Sequence, residues 1–313
     1  MARTRNPLVA AIVLNWNNYE DTARCLDSLE ALSYDNLAVV VVDNGSTDGS
    51  GRRIERDYSD VTVCFNRKNE GFSGGVNSAL RSDSFPDASF VWIVNNDTLY
   101  PEPEVLGELV DFLEEHPRFG AVTPVVTEYP NTDEIWFRHG FVERRSMRAG
   151  HNQESRKLLE FRLTTSELAE SGGRGYLTND YIPLCCALFR KETIDDVGEF
   201  CEDFFLYYED VDYSLRATDS GYELATNLEV SVAHRVEGSS DGDELATYYN
   251  FRNRILLARH YRSTGILFWL LLCWYLLVHV TYYSATLNWA RIRPLLLGFI
   301  HGVVGGEGRG PYP

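Results

Sequence analysis

The chain has 313 residues, 44% of them hydrophobic, which is enough to bury one large core or two modest ones and argues against disorder. Asp and Glu number 46 against 29 Lys and Arg, a net charge of −17, and only Lys68, Lys157 and Lys191 are lysines. This balance argues against nucleic acid as a partner, because no basic stripe exists to neutralise phosphates; it is the balance expected of a halophile protein, whose self-repulsion is screened by high salt.

Residues 1–7 hold no apolar run, so no signal peptide is expected. The first run, Val9 to Leu14, has the composition of a buried strand, and Tyr19 to Leu32 has helical spacing. Leu37 to Val42 predicts a second strand, Gly49 to Tyr58 a helix, Val61 to Phe65 a third strand, Ser73 to Arg81 a helix and Phe90 to Val94 a fourth strand. The alternation predicts an α/β fold with a mostly parallel sheet, helices on both faces and ligands at the carboxyl ends of the strands. Cys25, Cys64, Cys185, Cys186, Cys201 and Cys273 show neither metal spacing nor a redox pair, and so read as reduced thiols of a cytoplasmic compartment.

Four polar segments follow those strands: Asn15-Trp16-Asn17, Asp43-Asn44-Gly45-Ser46, the glycine-rich run Asn69 to Asn77, and Asn95-Asn96-Asp97. Each alone is an ordinary turn; together they come in sheet order, with a carboxylate at two of them. Later come Glu209-Asp210-Val211-Asp212 behind a run of aromatics, and His234 in Val232-Ala233-His234-Arg235.

With these segments the chain resembles the family 2 glycosyltransferases, which have the nucleotide-sugar-binding GT-A fold, over residues 8 to about 255. In order and spacing it is most similar to the rhamnosyltransferase-type branch. The resemblance implies that Asp43 contacts the nucleotide base and that Trp16 lies near that ring; a carboxylate accepting an imide N–H and an indole offering a stacking face suit those roles. It assigns Asn15, Asn17, Asn69, Gly71, Gly74, Asn77, Asn95 and Asn96 to the nucleotide-sugar site. Asn95-Asn96-Asp97 stands where the family has its DxD motif, which makes Asp97 the ligand of a divalent cation, Mg2+ or Mn2+, with Asn95 in place of the first aspartate. His234 matches the imidazole that joins the metal in related enzymes.

Asp210 matches the general base, and the aromatics before it would raise its pKa by excluding water. Glu209 and Asp212 are expected to position the acceptor or to cap a helix. The arginines of Tyr248 to Arg254 could meet a phosphate or lie on a solvated face.

From Gly265 to Tyr283 the chain carries no formal charge with His279 neutral, and it reaches the roughly 20 residues a membrane span needs. Ile292 to Val304 is shorter and glycine-interrupted, so it reads as a re-entrant or surface helix. A buried helical pair or a homodimer interface are the alternatives. The expected organisation is a GT-A catalytic domain over 1–240, its nucleotide-sugar half ending near 125, a linking helix over 241–263 and a membrane-associated helical tail over 264–313. The expected activity is inverting transfer of a sugar from a nucleoside-diphosphate sugar to a dolichyl- or polyprenyl-phosphate-linked glycan. The setting would be the cytoplasmic face of the cell membrane, in assembly of surface-layer (S-layer) glycoprotein N-glycans. A noncatalytic glycan-binding protein or a sugar nucleotidyltransferase are the competing readings; the latter needs a basic phosphate-activating loop that Asn15 to Asn18 lacks.

Overall fold

A computed structural model of the chain describes residues 6–151, 175–235 and 243–311. Val236 to Ser240, the end of the expected His loop, and the boundary at 240 lie outside the described residues.

Strands and helices alternate first as β1 (Val9–Asn15), α1 (Tyr19–Glu30), β2 (Leu37–Asp43), α2 (Ser50–Asp57), β3 (Thr62–Phe65), α3 (Gly71–Leu80) and β4 (Phe90–Asn95). Then follow β5 (Thr98–Leu99), α4 (Val105–Glu115), β6 (Phe119–Glu128), β7 (Ile135–Phe137), and the hairpin of β8 (Gly140–Glu143) with β9 (Arg148–His151). The second half contributes β10 (Tyr176–Asn179), β11 (Cys186–Arg190), α5 (Lys191–Val197), α6 (Glu209–Asp219) and β12 (Glu223–His234). Three helices end the chain: α7 (Asp243–His260), α8 (Ile266–Ala285) and α9 (Ile292–Val304).

The main sheet runs β10-β12-β6-β11-β4-β1-β2-β3, with β5 added to β12 and β7 to β6. β3, β2, β1 and β4 are mutually parallel and β12 is parallel to β6, while β11 runs antiparallel between β4 and β6. Strands covered on both faces read as unbroken apolar runs, which is why β1 and β4 show no alternation in sequence. Successive side chains still point to opposite faces. Val9, Ala11 and Val13 join Val41, Trp92 and Val94 in one core, and Ile12 joins Val40, Val42, Val91 and Ile93 in the other. The polar residues that end these strands therefore emerge together at one sheet edge.

The last helices are built into this body. Arg252 and Arg254 of α7 are buried, so neither lies on a solvated face. α9 lies against α7 through two glycines: a Cβ at Gly298 would fall 2.6 Å from the Tyr248 carbonyl oxygen, and one at Gly302 would fall 2.8 Å from Ile255. Beyond α9 the chain returns to the catalytic half. Gly308 N–H donates to the Asp203 carbonyl at 2.8 Å, and the Gly308 carbonyl accepts from Arg252 Nη1 at 2.6 Å. α8 turns Ile266, Leu270, Trp274 and Leu277 outward, and α9 exposes Leu296, Ile300 and Val304.

Candidate active site

The parallel register of β1 and β2 sets Asn15 directly beside Asp43. Asn15 is fully buried; its Nδ2 donates to Asp43 Oδ1 at 2.8 Å and to Ser50 Oγ at 2.9 Å, and its Oδ1 accepts from Thr22 Oγ1 at 2.9 Å. Asn15 thus aims the carboxylate and has no free donor left for a ligand. Gly51 allows the close approach of α2, since a Cβ there would lie 2.3 Å from Asp43 Cγ. Trp16, one residue on, is 42% exposed, which rules out a core indole and leaves a ring face at the rim. Asn17 takes a left-handed conformation, and its Oδ1 accepts from Thr47 N at 2.7 Å, closing the β1 loop onto the β2 loop.

Asn44 organises the next segment. Its Nδ2 donates to Asn69 Oδ1 at 3.2 Å and to the Gly71 carbonyl at 2.9 Å, while its Oδ1 accepts from Glu70 N at 3.1 Å. Gly71, at φ +77°, sits where a Cβ would strike the Phe205 carbonyl oxygen, so the loop lies flush against the second half of the chain. Asn77 is fully buried: its Nδ2 donates to the Phe200 carbonyl and to Glu202 Oε1, both at 2.9 Å. Asn77 and Gly74, whose missing Cβ makes room for Glu70, act on the loop from beneath.

Asn95 ends β4, and Asn96 Nδ2 donates to Thr22 Oγ1 at 2.9 Å. The short strand β5 then pairs antiparallel with the end of β12, Thr98 opposite His234, and Arg235 N–H donates to the Asp97 carbonyl at 3.0 Å. This pairing brings His234 Nε2 to 3.1 Å from Asp97 Oδ1. Both atoms are buried and neither takes a hydrogen bond, because the approach lacks the angle for one. Two buried atoms able to act as metal ligands, converging without a hydrogen bond between them, fit a shared divalent cation; neighbouring ligands on an octahedral ion with bonds of about 2.1 Å stand about 3 Å apart. Asp97 and His234 would hold it.

Across the site, Tyr207 and Tyr208 both take left-handed conformations, at φ 66° and 73°, and α6 begins at Glu209. Non-glycine residues tolerate that backbone only where their surroundings enforce it. Asn253 of α7 does so, donating to the carbonyls of Leu206 at 2.8 Å and Tyr207 at 2.7 Å. Burial pushes the Asp210 carboxyl up to about 6. Burial, with Asp210 alongside, raises Glu209 further, and its Oε2 is buried without a partner. Asp212 turns elsewhere: its carboxylate accepts from Arg216 Nε at 2.9 Å and is buried, so it braces α6 and does not join the acceptor surface.

Asp97 and Asp210 both act on the buried thiol of Cys185, which is raised by burial, by Cys186 and by the two carboxylates. An aromatic wall links the two corners. Trp136 packs 5.2 Å from the His234 ring and 5.0 Å from the His151 ring, and His151 Nδ1 is 2.7 Å from the Tyr181 hydroxyl. Burial lowers His151 to about 4, so it is neutral at neutral pH.

A model of the glycosyl transferase family 2 matches residues 10–198, more than half of this chain. The chain belongs to glycosyl transferase family 2. This glycosyltransferase is 27% identical over 264 residues, 78% of either chain, to an N-acetylglucosaminyl-diphospho-decaprenol L-rhamnosyltransferase of Mycobacterium tuberculosis. It is 25% identical to galactofuranosyltransferase GlfT1 of Mycolicibacterium smegmatis, covering 93% of this chain and 97% of that one. Among solved structures, mannosyltransferase PcManGT from Pyrobaculum calidifontis, in complex with GDP-Man and Mn2+, superposes with a TM-score of 0.58 at 21% identity, over 97% of this chain and 77% of that one. GalNAc-T7 with UDP, GalNAc and Mn2+ gives 0.62 at 13% identity, over 81% and 48%. The glycosyltransferase therefore has the GT-A fold and takes its sugar from a nucleotide-sugar.

Sequence reading passed over the residues that aim others. Ser50 Oγ accepts from Asn15, Gly51 leaves room for Asp43, Asn44 holds the glycine-rich loop, and Asn253 holds the turn before Asp210. The signal for Asn253 was there: the polar triplet Arg252-Asn253-Arg254 interrupts a helix that has no polar face to put it on.

Proposed function

We propose that this glycosyltransferase moves a sugar, with inversion, from a nucleoside-diphosphate sugar to a hydroxyl of a glycan carried on a polyprenyl or dolichyl lipid. The observation that carries the reading is that two groups which both act on Cys185 share one neighbourhood: Asp210, a buried carboxylate raised to about 6, and Asp97, set beside His234. Asp43 would accept from the base N–H and Trp16 would stack on the ring. A divalent cation between Asp97 and His234, Mg2+ or Mn2+, would offset charge on the departing diphosphate. Asp210, ionised above its raised pKa, takes the proton of the acceptor hydroxyl, whose oxygen attacks the anomeric carbon from the face opposite the leaving group. One base and one in-line attack give inversion. Glu209, raised well above the usual carboxylate range by burial and by Asp210 beside it, is assigned to positioning the acceptor.

The lipid-linked acceptor draws support from the decaprenyl-diphosphate substrate in the name of the mycobacterial rhamnosyltransferase, and from α8. That helix has 20 residues and a mean hydropathy of 1.7, with 17% of it buried, so its apolar side chains suit a bilayer and not a core. We place the enzyme at the cytoplasmic face of the cell membrane. The rhamnosyltransferase-like order of its motifs and its acidic, lysine-poor composition support a halophilic cell, where such a glycan would serve surface-layer glycoprotein. The test is to incubate the full chain in detergent with membrane lipid extract and a panel of labelled sugar nucleotides, then follow the label. Label extracted into organic solvent is expected; label confined to water-soluble product would overturn the lipid acceptor.

A further inference from the structure

A cavity of about 580 Å³ opens between the β8–β9 hairpin, α7 and α8. Its wall carries Arg148, Arg254 and Arg291 with His151 and His279, and no carboxylate, in a chain of 46 acids and 29 bases. Arg254 is only 5% exposed, and among the described residues its one hydrogen bond is from Nε to the Ser146 carbonyl at 2.7 Å. Among the described residues neither Arg254 nor Arg148 has a carboxylate within ion-pair distance. Glu143, the acid that acts on Arg254 from a distance, accepts instead from Ser146 Oγ at 2.6 Å. A buried guanidinium without a counterion is costly, and a second cation beside it adds to that cost.

We propose that this cavity seats the diphosphate of the lipid-linked acceptor, an inference that rests on the lipid-acceptor reading above. Arginine forks match phosphate oxygens two at a time, and an anion here would supply the charge that Arg148 and Arg254 lack. The position is also right at both ends. Tyr208 lines the cavity and immediately precedes Glu209 and Asp210, so a sugar attached to the bound diphosphate lies toward the base. Tyr275, His279 and Tyr283, one face of α8 at successive helical turns, form the opposite wall, and the prenyl chain leaves along the apolar outer surface of that helix.

The probes are farnesyl diphosphate and inorganic pyrophosphate, titrated into the full chain in detergent with excess chelator, which keeps the Asp97–His234 corner from binding either. Farnesyl diphosphate is expected to bind, with Arg148→Gln weakening it about tenfold, the loss of one charge-assisted contact. Arg254→Lys, which keeps the charge and loses the fork, should weaken it as well, and melting curves show whether each variant is folded. Equal affinity in wild type and both folded variants would overturn the proposal. Pyrophosphate binding as tightly as farnesyl diphosphate, with the same dependence on Arg148, would assign the cavity to free diphosphate and overturn the lipid source. In turnover, solvent-extractable product with an unchanged acceptor KM in Arg148→Gln would sink the anchor and leave the lipid-acceptor reading standing; a water-soluble product would sink both.

Discussion

His234 Nε2 stands 3.1 Å from Asp97 Oδ1 because β5 pairs with the end of β12, and the two atoms share no hydrogen bond. With Asn95 in place of a first aspartate, Asp97 is the only carboxylate of its motif. Asp97→Asn should abolish transfer, as should chelation of the unmodified protein. His234→Gln should raise the Mn2+ concentration for half-maximal activity by about 10- to 100-fold. Full activity in excess chelator would rule out a bound cation.

Asp210 is raised by burial to about 6, so its base form is lost as pH falls through that value. The acid limb of kcat/KM should bend near pH 6, and Asp210→Asn should lower turnover by roughly 10²- to 10⁴-fold with donor affinity nearly unchanged. Glu209→Gln, which keeps the size and hydrogen-bonding capacity of a group beside the base, should retain far more activity. The reverse ranking would move the base to Glu209.

The turn before Asp210 is held by Asn253, whose amide serves two carbonyls. Asn253→Ala leaves both without that donor, at about 1–3 kcal/mol for each buried group unmet, and frees the strained tyrosines. The melting temperature should fall, and kcat should drop more than donor KM rises. A loss confined to stability would show that the turn does not need the strain to aim Asp210.

Gly51→Ala places a methyl 2.3 Å from Asp43 Cγ. The carboxylate must turn, so donor KM should rise about tenfold or more, the loss of one charge-assisted contact to the base, while the protein stays folded. Unchanged donor binding would remove Asp43 from the base site.

Because α9 and residues 305–310 pack on α7 and the Asp203 loop, a chain ending near Arg262 should be unstable, not merely soluble. Membrane release should come instead from Leu270→Glu with Trp274→Glu, both on the outer face of α8 at 62% and 66% exposure. Flotation with liposomes distinguishes the outcomes: continued flotation of a folded double variant would leave α8 without a membrane role.

The parallel strands and the segments that end them were legible in the sequence because local rules place them: unbroken apolar runs for doubly covered strands, and polar turns at their carboxyl ends. Those rules mark the segments that hold Asp43, Trp16, Asp97 and Asp210, while the roles of these residues are what the family resemblance implies. What those residues do with one another was not legible, because it depends on pairings between distant strands. Only the β5–β12 pairing brings His234 to Asp97, and only the burial of α7 makes Asn253 a clamp and Arg254 an uncompensated charge. Asp212 shows the converse. By spacing it belongs with Asp210, but two positions along a helix turn it to another side, where Arg216, one turn further on, holds it.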